Sequence, residues 1–310
     1  MWGKPAILSH LLGINHIKLG HVNFFQKFVL KAMRTRSKAA KEEKVEEIII
    51  NAENVEKIDE IVADQNITSI KLENINSTRA VTKILQLKQQ EKTTKIFSKV
   101  WKIPDLENLQ ITKFNLGCVS SDILSILPSR LRTLNLAETG LGEDQILSLL
   151  SSIGRHEHLS SLILEGEDLT VVDKNTLAAA VGKLERVVIK DCDIDTEQVE
   201  TILECVNKHD SLAEVTIAGT EDNPVYLAEV TADLLASSVT SLQIACLRNA
   251  MVTIQQIETI LKKVLKCSDR LRSLELNNLV EEDTENKITM AMLNPLASKV
   301  IKKLHNFRLS

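Results

Sequence analysis

In a chain of 310 residues, 44% hydrophobic content set against only 3% aromatics means a core built from aliphatic side chains, which suits a regular stacked structure better than an irregular enzyme pocket. A formal net charge of −4 excludes a general affinity for nucleic acid or for anionic membranes. Five scattered cysteines without a CxxC pair argue against a disulfide framework, and no apolar run approaches the ~18 residues of a membrane span, so the expected setting is a reducing cytoplasm.

Charge is unevenly placed. Residues 1–41 hold eight Lys or Arg and no acid, which leaves −12 for the rest of the chain. The opening "AILSHLLGI" is too short, and too broken by His10, for a signal peptide, and the lysine-dominated charge fits a mitochondrial presequence poorly. Without a secretory route the sequons at Asn66 and Asn76 are chance matches. Phe24, Phe28, Val29 and Met33 fall at roughly helical spacing, with Lys27, Lys31, Arg34 and Arg36 opposite or flanking. The expectation for residues 1–44 is a basic, mainly helical cap or linker, covering the open end of whatever follows. A second reading is a weak membrane-surface or acidic-partner contact through residues 1–41.

From residue 45 onward one register recurs. It is faint as Val45-Ile48-Ile50 and Ile67-Ile70-Leu72, and clear as Leu106-Leu109-Ile111-Leu116 and Leu131-Leu134-Leu136-Leu141. It continues as Leu159-Leu162-Leu164-Leu169 and Leu184-Val187-Ile189-Ile194, then as Leu212-Val215-Ile217 and Val239-Leu242-Ile244. Leu271-Leu274-Leu276-Leu279 and Leu304-Phe307-Leu309 complete it. From Leu106 the starts are spaced by 25, 28, 25, 28, 27, 32 and 33 residues. The alternating centre of each unit reads as a short strand, and the flanking leucines plug the coil where the chain turns. Each unit then returns through a helical stripe, such as Ile146-Leu149-Leu150-Ile153, Val199-Ile202-Leu203-Val206 or Ile254-Ile257-Leu261-Val264-Leu265. The segments "GEDQ" and "DTEQ" before the first two are helix-start signals. One strand and one helix cannot bury their apolar faces alone, so neighbouring units must stack into an α/β solenoid.

This pattern resembles the leucine-rich repeat family, in its long, helix-containing, ribonuclease-inhibitor-like subtype. The resemblance covers residues 45–310 and implies a horseshoe with a parallel concave β-sheet and convex helices. The eighth position after each start departs from the family, which has Asn or Cys there. This chain offers Phe114, Thr139, Glu167, Cys192, Thr220, Leu247 and Leu279, of which only Cys192 matches. Two stretches fit poorly. Leu85–Asp105 reads as a helix with a Lys-rich inserted loop ending at Pro104, and Asn277–Met290 as an acidic loop. The closing "HNFRLS" reads as one more strand, either a crude cap or the edge of a fragment. "FQKFVL", Phe25 to Leu30, is also similar to a motif that precedes the repeats in nucleotide-binding, leucine-rich-repeat receptors of innate immunity, although Lys27 replaces the usual Glu. That likeness implies the sensing part of such a receptor alone.

No chemistry-bearing motif accompanies the repeats. GxGxxG, GxxxxGK[ST] and GxSxG are absent, so no cofactor is expected. "HEH" at His156–His158 places two imidazoles at i and i+2, but it sits where polar junction residues belong. Cys192 reads as filler of the turn position, and Glu281-Glu282 as solvated charge. A non-enzyme is the expectation.

The register instead predicts a binding face. Between the core leucines the central outward column is Gln110, Asn135, Ile163, Val188, Thr216, Gln243 and Glu275. Beside it run Thr112, Ala137, Glu165, Lys190, Ala218, Ala245 and Asn277. Ile163 and Val188, expected side by side and facing solvent, form a candidate apolar hot spot within a polar rim. The expected partner is another protein. Besides the immune-receptor reading, related repeat proteins suggest a substrate-recruiting adaptor of a ubiquitin ligase, or a regulator of a small GTPase or of actin filament ends.

Overall fold

A computed structural model describes residues 47–51, 58–62, 67–73, 83–220, 222–267, 270–281 and 286–309. The expected N-terminal cap, its basic stripe and the "FQKFVL" motif lie outside these residues. Strand and helix alternate: β1 (Ile48–Ile50), α1 (Ile58–Val62), β2 (Ser69–Glu73), α2 (Lys83–Val100), β3 (Asn108–Thr112), α3 (Ser121–Leu124) and β4 (Thr133–Ala137). There follow α4 (Glu143–Arg155), β5 (Ser161–Glu165), α5 (Lys174–Val181), β6 (Arg186–Lys190), α6 (Thr196–Lys208), β7 (Glu214–Ala218) and β8 (Val225–Tyr226). The series closes with α7 (Glu229–Ser238), β9 (Ile244–Val252), α8 (Ile254–Cys267), β10 (Ser273–Glu281), α9 (Leu296–Lys303) and β11 (Asn306–Leu309).

The strands form one sheet in chain order from β1 to β11, with β8 set aside as a short flap on Ala250–Met251 of β9. All these strand pairings are parallel. Parallel strands stand about 4.8 Å apart while packed helices need about 8–10 Å, so the helical side is the longer one and the sheet lies on the inner curve.

The leucine spacing explains why each unit folds this way. Leu109 and Ile111, Leu134 and Leu136, Leu162 and Leu164, and Val187 and Ile189 point inward and are fully buried. Each such pair contributes roughly 3–6 kcal/mol of transfer free energy before chain entropy is subtracted. The unit starts Leu106, Leu131, Leu159, Leu184 and Leu212 close the core below the strands, and Leu116, Leu141, Leu169 and Ile194 close it above. On the return path Ile146, Leu149, Leu150 and Ile153 of α4, and Val199, Ile202, Leu203 and Val206 of α6, are all buried. Asp195 starts α6 with a full capping box, its carboxylate accepting from the Glu197 and Gln198 amides while the Gln198 side chain accepts from the Asp195 amide. "GEDQ" works differently: Gly142 makes no side-chain cap, and Gln145 instead donates to the carbonyls of Gly117 and Val119 in the preceding unit.

Six of the strands, β3 to β6, β9 and β10, then bend out of the ladder at the seventh position after the unit start. Lys113, Glu138, Asp191, Asn249 and Asn278 are left-handed there, with φ of 52°, 52°, 50°, 48° and 50°, and Gly166 joins them at 72°. A left-handed non-glycine costs about 1–2 kcal/mol, less for Asn and Asp. The return is ladder continuity, since the amides of Lys113, Glu138, Gly166 and Asp191 each donate to a carbonyl of the next unit.

Three expectations are corrected. Leu85–Asp105 holds no inserted loop through Val100, because α2 is one continuous helix of 18 residues, and Trp101 stacks on Phe97 below it. Asn277–Met290 is not wholly a loop, since β10 runs on through Asn277–Glu281 with only the bend at Asn278. The sixth clear unit starts at Leu242, not Val239. Val239 caps α7, and the inward pair is Ala245 and Leu247, which pair with Val215 and Ile217. That shift removes Gln243 and Ala245 from the outward columns and puts Ala250, not Leu247, at the eighth position.

Candidate functional site

The inner face of the sheet carries the outward side chains in straight columns. The central one runs Ile49, Lys71, Gln110, Asn135, Ile163, Val188, Thr216, Cys246, Glu275 and Arg308, each in register with the next. Gln110, Asn135, Ile163, Val188, Thr216 and Glu275 thus stand together as expected. Gln243 does not. It precedes β9, where its carbonyl accepts from the amides of Arg272 and Ser273. Glu165 and Lys190 are neighbours in the adjoining column, 3.2 Å apart as an ion pair, and that column continues through Ala218 to Arg248 and Asn277.

Two details change the expected apolar centre. Ile163 is half-buried, but Val188 is only 7% exposed although it points outward. Its flanks on the same strand are Arg186 and Lys190, each tied to a neighbouring strand through Arg186–Glu214 at 2.7 Å and Lys190–Glu165 at 3.2 Å. Val188 thus stands along its own strand between two cations that are each tied to a neighbouring strand. In the middle of the central column the apolar side chain left partly open is Ile163, while at its β1 end Ile49, in register with Lys71, is 42% exposed. Another exposed aliphatic, Ile244, stands one column away between Glu214 and Ser273.

At the β9–β11 end the polar groups converge on Glu275. Arg248 Nη2 donates to its Oε2 at 2.8 Å, and Asn306 Nδ2 to its Oε1 at 3.3 Å. Asn306 also donates to Ser273 Oγ at 3.0 Å. The Arg248 hydrogen bond, helped by the charge of Arg308 and by Asn306, holds the Glu275 carboxyl below its ordinary value. The same bond raises Arg248. Arg248 Nε is buried without a hydrogen-bond partner. Cys246, Arg248 and Arg308 are strand-face residues that the sequence reading missed. The misplaced start at Val239 hid the first two, although Leu242-x-x-Ala245-x-Leu247 was visible to a pattern that admits alanine inward.

Behind the face, the turn layer is polar and buried. Glu167 occupies the eighth position of its unit and accepts from the Thr139 amide at 2.8 Å, the Thr139 hydroxyl at 2.7 Å and the Leu141 amide at 3.0 Å. Cys192 follows with its thiol 3.6 Å from the Leu164 carbonyl, and burial pushes that thiol up to about 11. Both rings of the "HEH" pair stay apart at 6.2 Å between centroids. His156 Nδ1 accepts from the amides of His158 and Leu159, so the proton sits on Nε2 and is donated to the Pro128 carbonyl at 2.8 Å. Its role in the structure is to close α4. Among the described residues no helix is long and apolar enough to cross a membrane.

In-register parallel strands, inward leucines and buried return helices settle the architecture. The chain folds as a leucine-rich repeat solenoid. No family model matches it, and no curated protein matches it in sequence. Among solved structures, this solenoid is similar to the leucine-rich repeat-containing protein LegL7 from Legionella pneumophila, at 13% identity and a TM-score of 0.46, over 84% of this chain and 81% of that one. It is also similar to a chain of the Rad7 and Elc1 complex from yeast, at 12% identity and a TM-score of 0.47, over 94% of this chain and 66% of that one.

Proposed function

We propose that this solenoid is a non-catalytic scaffold of the cytoplasm that binds a protein partner on its strand face. One observation carries the reading: outward side chains from Lys71 to Arg308 form a continuous array on a stiff parallel ladder. Such an array is pre-organised, so a partner loses little free energy in ordering it. Asn135, Ile163 and Thr216 supply mixed polar and apolar contact at its centre, while Glu165–Lys190 and Arg186–Glu214 frame it. The finer role is that of a sensing array in a relative of the innate immune receptors, supported by the Phe25–Leu30 motif alone.

The test is affinity capture from cells with the intact chain, comparing the strand-face variants Asn135→Arg, Ile163→Glu and Thr216→Arg with the helix-side variant Lys95→Glu. Loss of the same captured protein in the first three, and its retention in the fourth, supports the reading. Equal capture by all four overturns it. Ubiquitin-ligase core subunits in the captured set would replace the receptor role with an adaptor role, and a small GTPase or actin would replace it with a regulator of either.

A further inference from the structure

Over the middle of the strand face, cations and acids are matched one to one: Arg186 with Glu214, and Lys190 with Glu165. The β9–β11 end breaks that balance. Arg248 and Arg308 both bear on Glu275, and only Arg248 pairs with it, at 2.8 Å. Arg308 is exposed and forms no ion pair among the described residues. Both carboxylate oxygens of Glu275 are already engaged, Oε2 by Arg248 and Oε1 by Asn306. One guanidinium is therefore left over. The Nε–H of the other is shut off from solvent with no acceptor. An open groove of about 610 Å³ is bordered by Arg248 and Arg308, with the amide of Asn277 and the apolar edges of Phe307 and Met290 along it.

We infer that this end of the strand face takes an acidic peptide segment of a protein partner, one Asp or Glu carboxylate docking on Arg308 beside Arg248. This rests on the strand-face reading above and names the chemistry of its partner. A carboxylate suits the geometry because guanidinium forks bind it through paired N–H donors. The fixed Glu275 carboxylate disfavours ligands of higher charge density. A nucleic-acid backbone needs a row of unpaired cations, and among the described residues the outward columns offer one, Arg308. Phe307 and Met290 give the aliphatic stem of a glutamate an apolar wall.

The experiment uses the full chain and a fluorescent hexaglutamate peptide at low salt, read by polarisation, with hexaglutamine and hexalysine as controls. Hexaglutamate should bind and the controls should not. Arg308→Gln should weaken binding by about tenfold with an unchanged melting temperature, the loss of roughly one charge-assisted hydrogen-bonded pair. Glu275→Gln, which removes the competing internal carboxylate, should tighten it severalfold. Binding that ignores Arg308→Gln, no binding of hexaglutamate, or full displacement by equimolar inorganic phosphate each overturns the inference. Ile163→Glu separates the two readings, because it should abolish partner capture while leaving hexaglutamate binding intact. If hexaglutamate fails while strand-face substitutions still abolish capture, the scaffold reading stands and this one falls.

Discussion

Glu167 reaches from one unit into the turn of the unit before it, and its carboxylate accepts both the amide and the hydroxyl of Thr139, at 2.8 and 2.7 Å. With the Leu141 amide added at 3.0 Å, one 3%-exposed side chain satisfies three donors in the layer where leucine-rich repeats are expected to use asparagine. The substitution preserves the physics of that layer, which is to satisfy buried backbone amides that bend away from the ladder.

Glu167→Ala should therefore cost about 1–3 kcal/mol, because it strands two buried amides rather than deleting a surface charge. Urea unfolding measures it. Glu167→Gln should fall between, since its single carbonyl oxygen keeps Thr139 while its NH₂ faces the Leu141 amide. A Glu167→Ala variant as stable as the parent would remove the turn-layer account.

Val188 and Ile163 should respond differently to charge. Val188→Glu puts a carboxylate at a position that is only 7% exposed, and should lose about 1–3 kcal/mol. Ile163→Glu, at a half-buried site, should change stability by about 0.5 kcal/mol. Paired denaturation curves decide the matter. Equal losses would mean that the difference in burial between the two sites has no energetic consequence.

Stability should carry a pH signature from Glu275. Its folded pKa is depressed, by the Arg248 bond first, so its contribution is fully present above the ordinary carboxylate value of 4.5 and disappears as pH falls through the lower folded value. Arg248→Gln should cost about 0.5–1 kcal/mol at pH 7, because the pair is part-exposed, and progressively less as the solution is acidified below 4.5. A stability difference that stays constant down to the acid limit would assign the loss to packing of the arginine stem instead.

How much of this was legible in the sequence depended on what each position needed. Between Leu106 and Ile217 both inward sites of every unit are Leu, Ile or Val, so the strands and their register could be read directly. The reading slipped where Ala245 fills an inward site and Ile244 is exposed, since an aliphatic pattern then prefers the wrong frame by three residues. The extension of β10 was hidden because Asn277-Asn278 looks like a loop, whereas Asn278 is the left-handed bend between two paired segments. Burial of Val188 could not be read, because the alternation of a strand tells which way a side chain points and not how closely its neighbours approach it. Glu167 was visible only as a departure from the family pattern.

Gly219 tests the turn layer from the opposite direction. It occupies the seventh position of its unit, where neighbouring units carry Lys113, Glu138, Asp191 and Asn249, so sequence alone would suggest that a side chain is tolerated. The β8 flap makes the difference. A Cβ at Gly219 would lie 2.7 Å from the Val225 amide nitrogen, 2.8 Å from the Asn223 carbonyl oxygen and 2.9 Å from the Asn249 carbonyl oxygen, all backbone atoms that cannot rotate away. Gly219→Ala should therefore destabilise by about 1–3 kcal/mol through overpacking, against the small gain that reduced chain entropy would otherwise bring. Hydrogen exchange should locate the damage, with the Leu227 amide, which donates to the Met251 carbonyl at 3.1 Å, losing protection while the β3–β5 amides keep theirs. Unchanged melting in Gly219→Ala would mean that the flap is not seated against the turn, and a uniform loss of protection would mean that the units do not unfold separately.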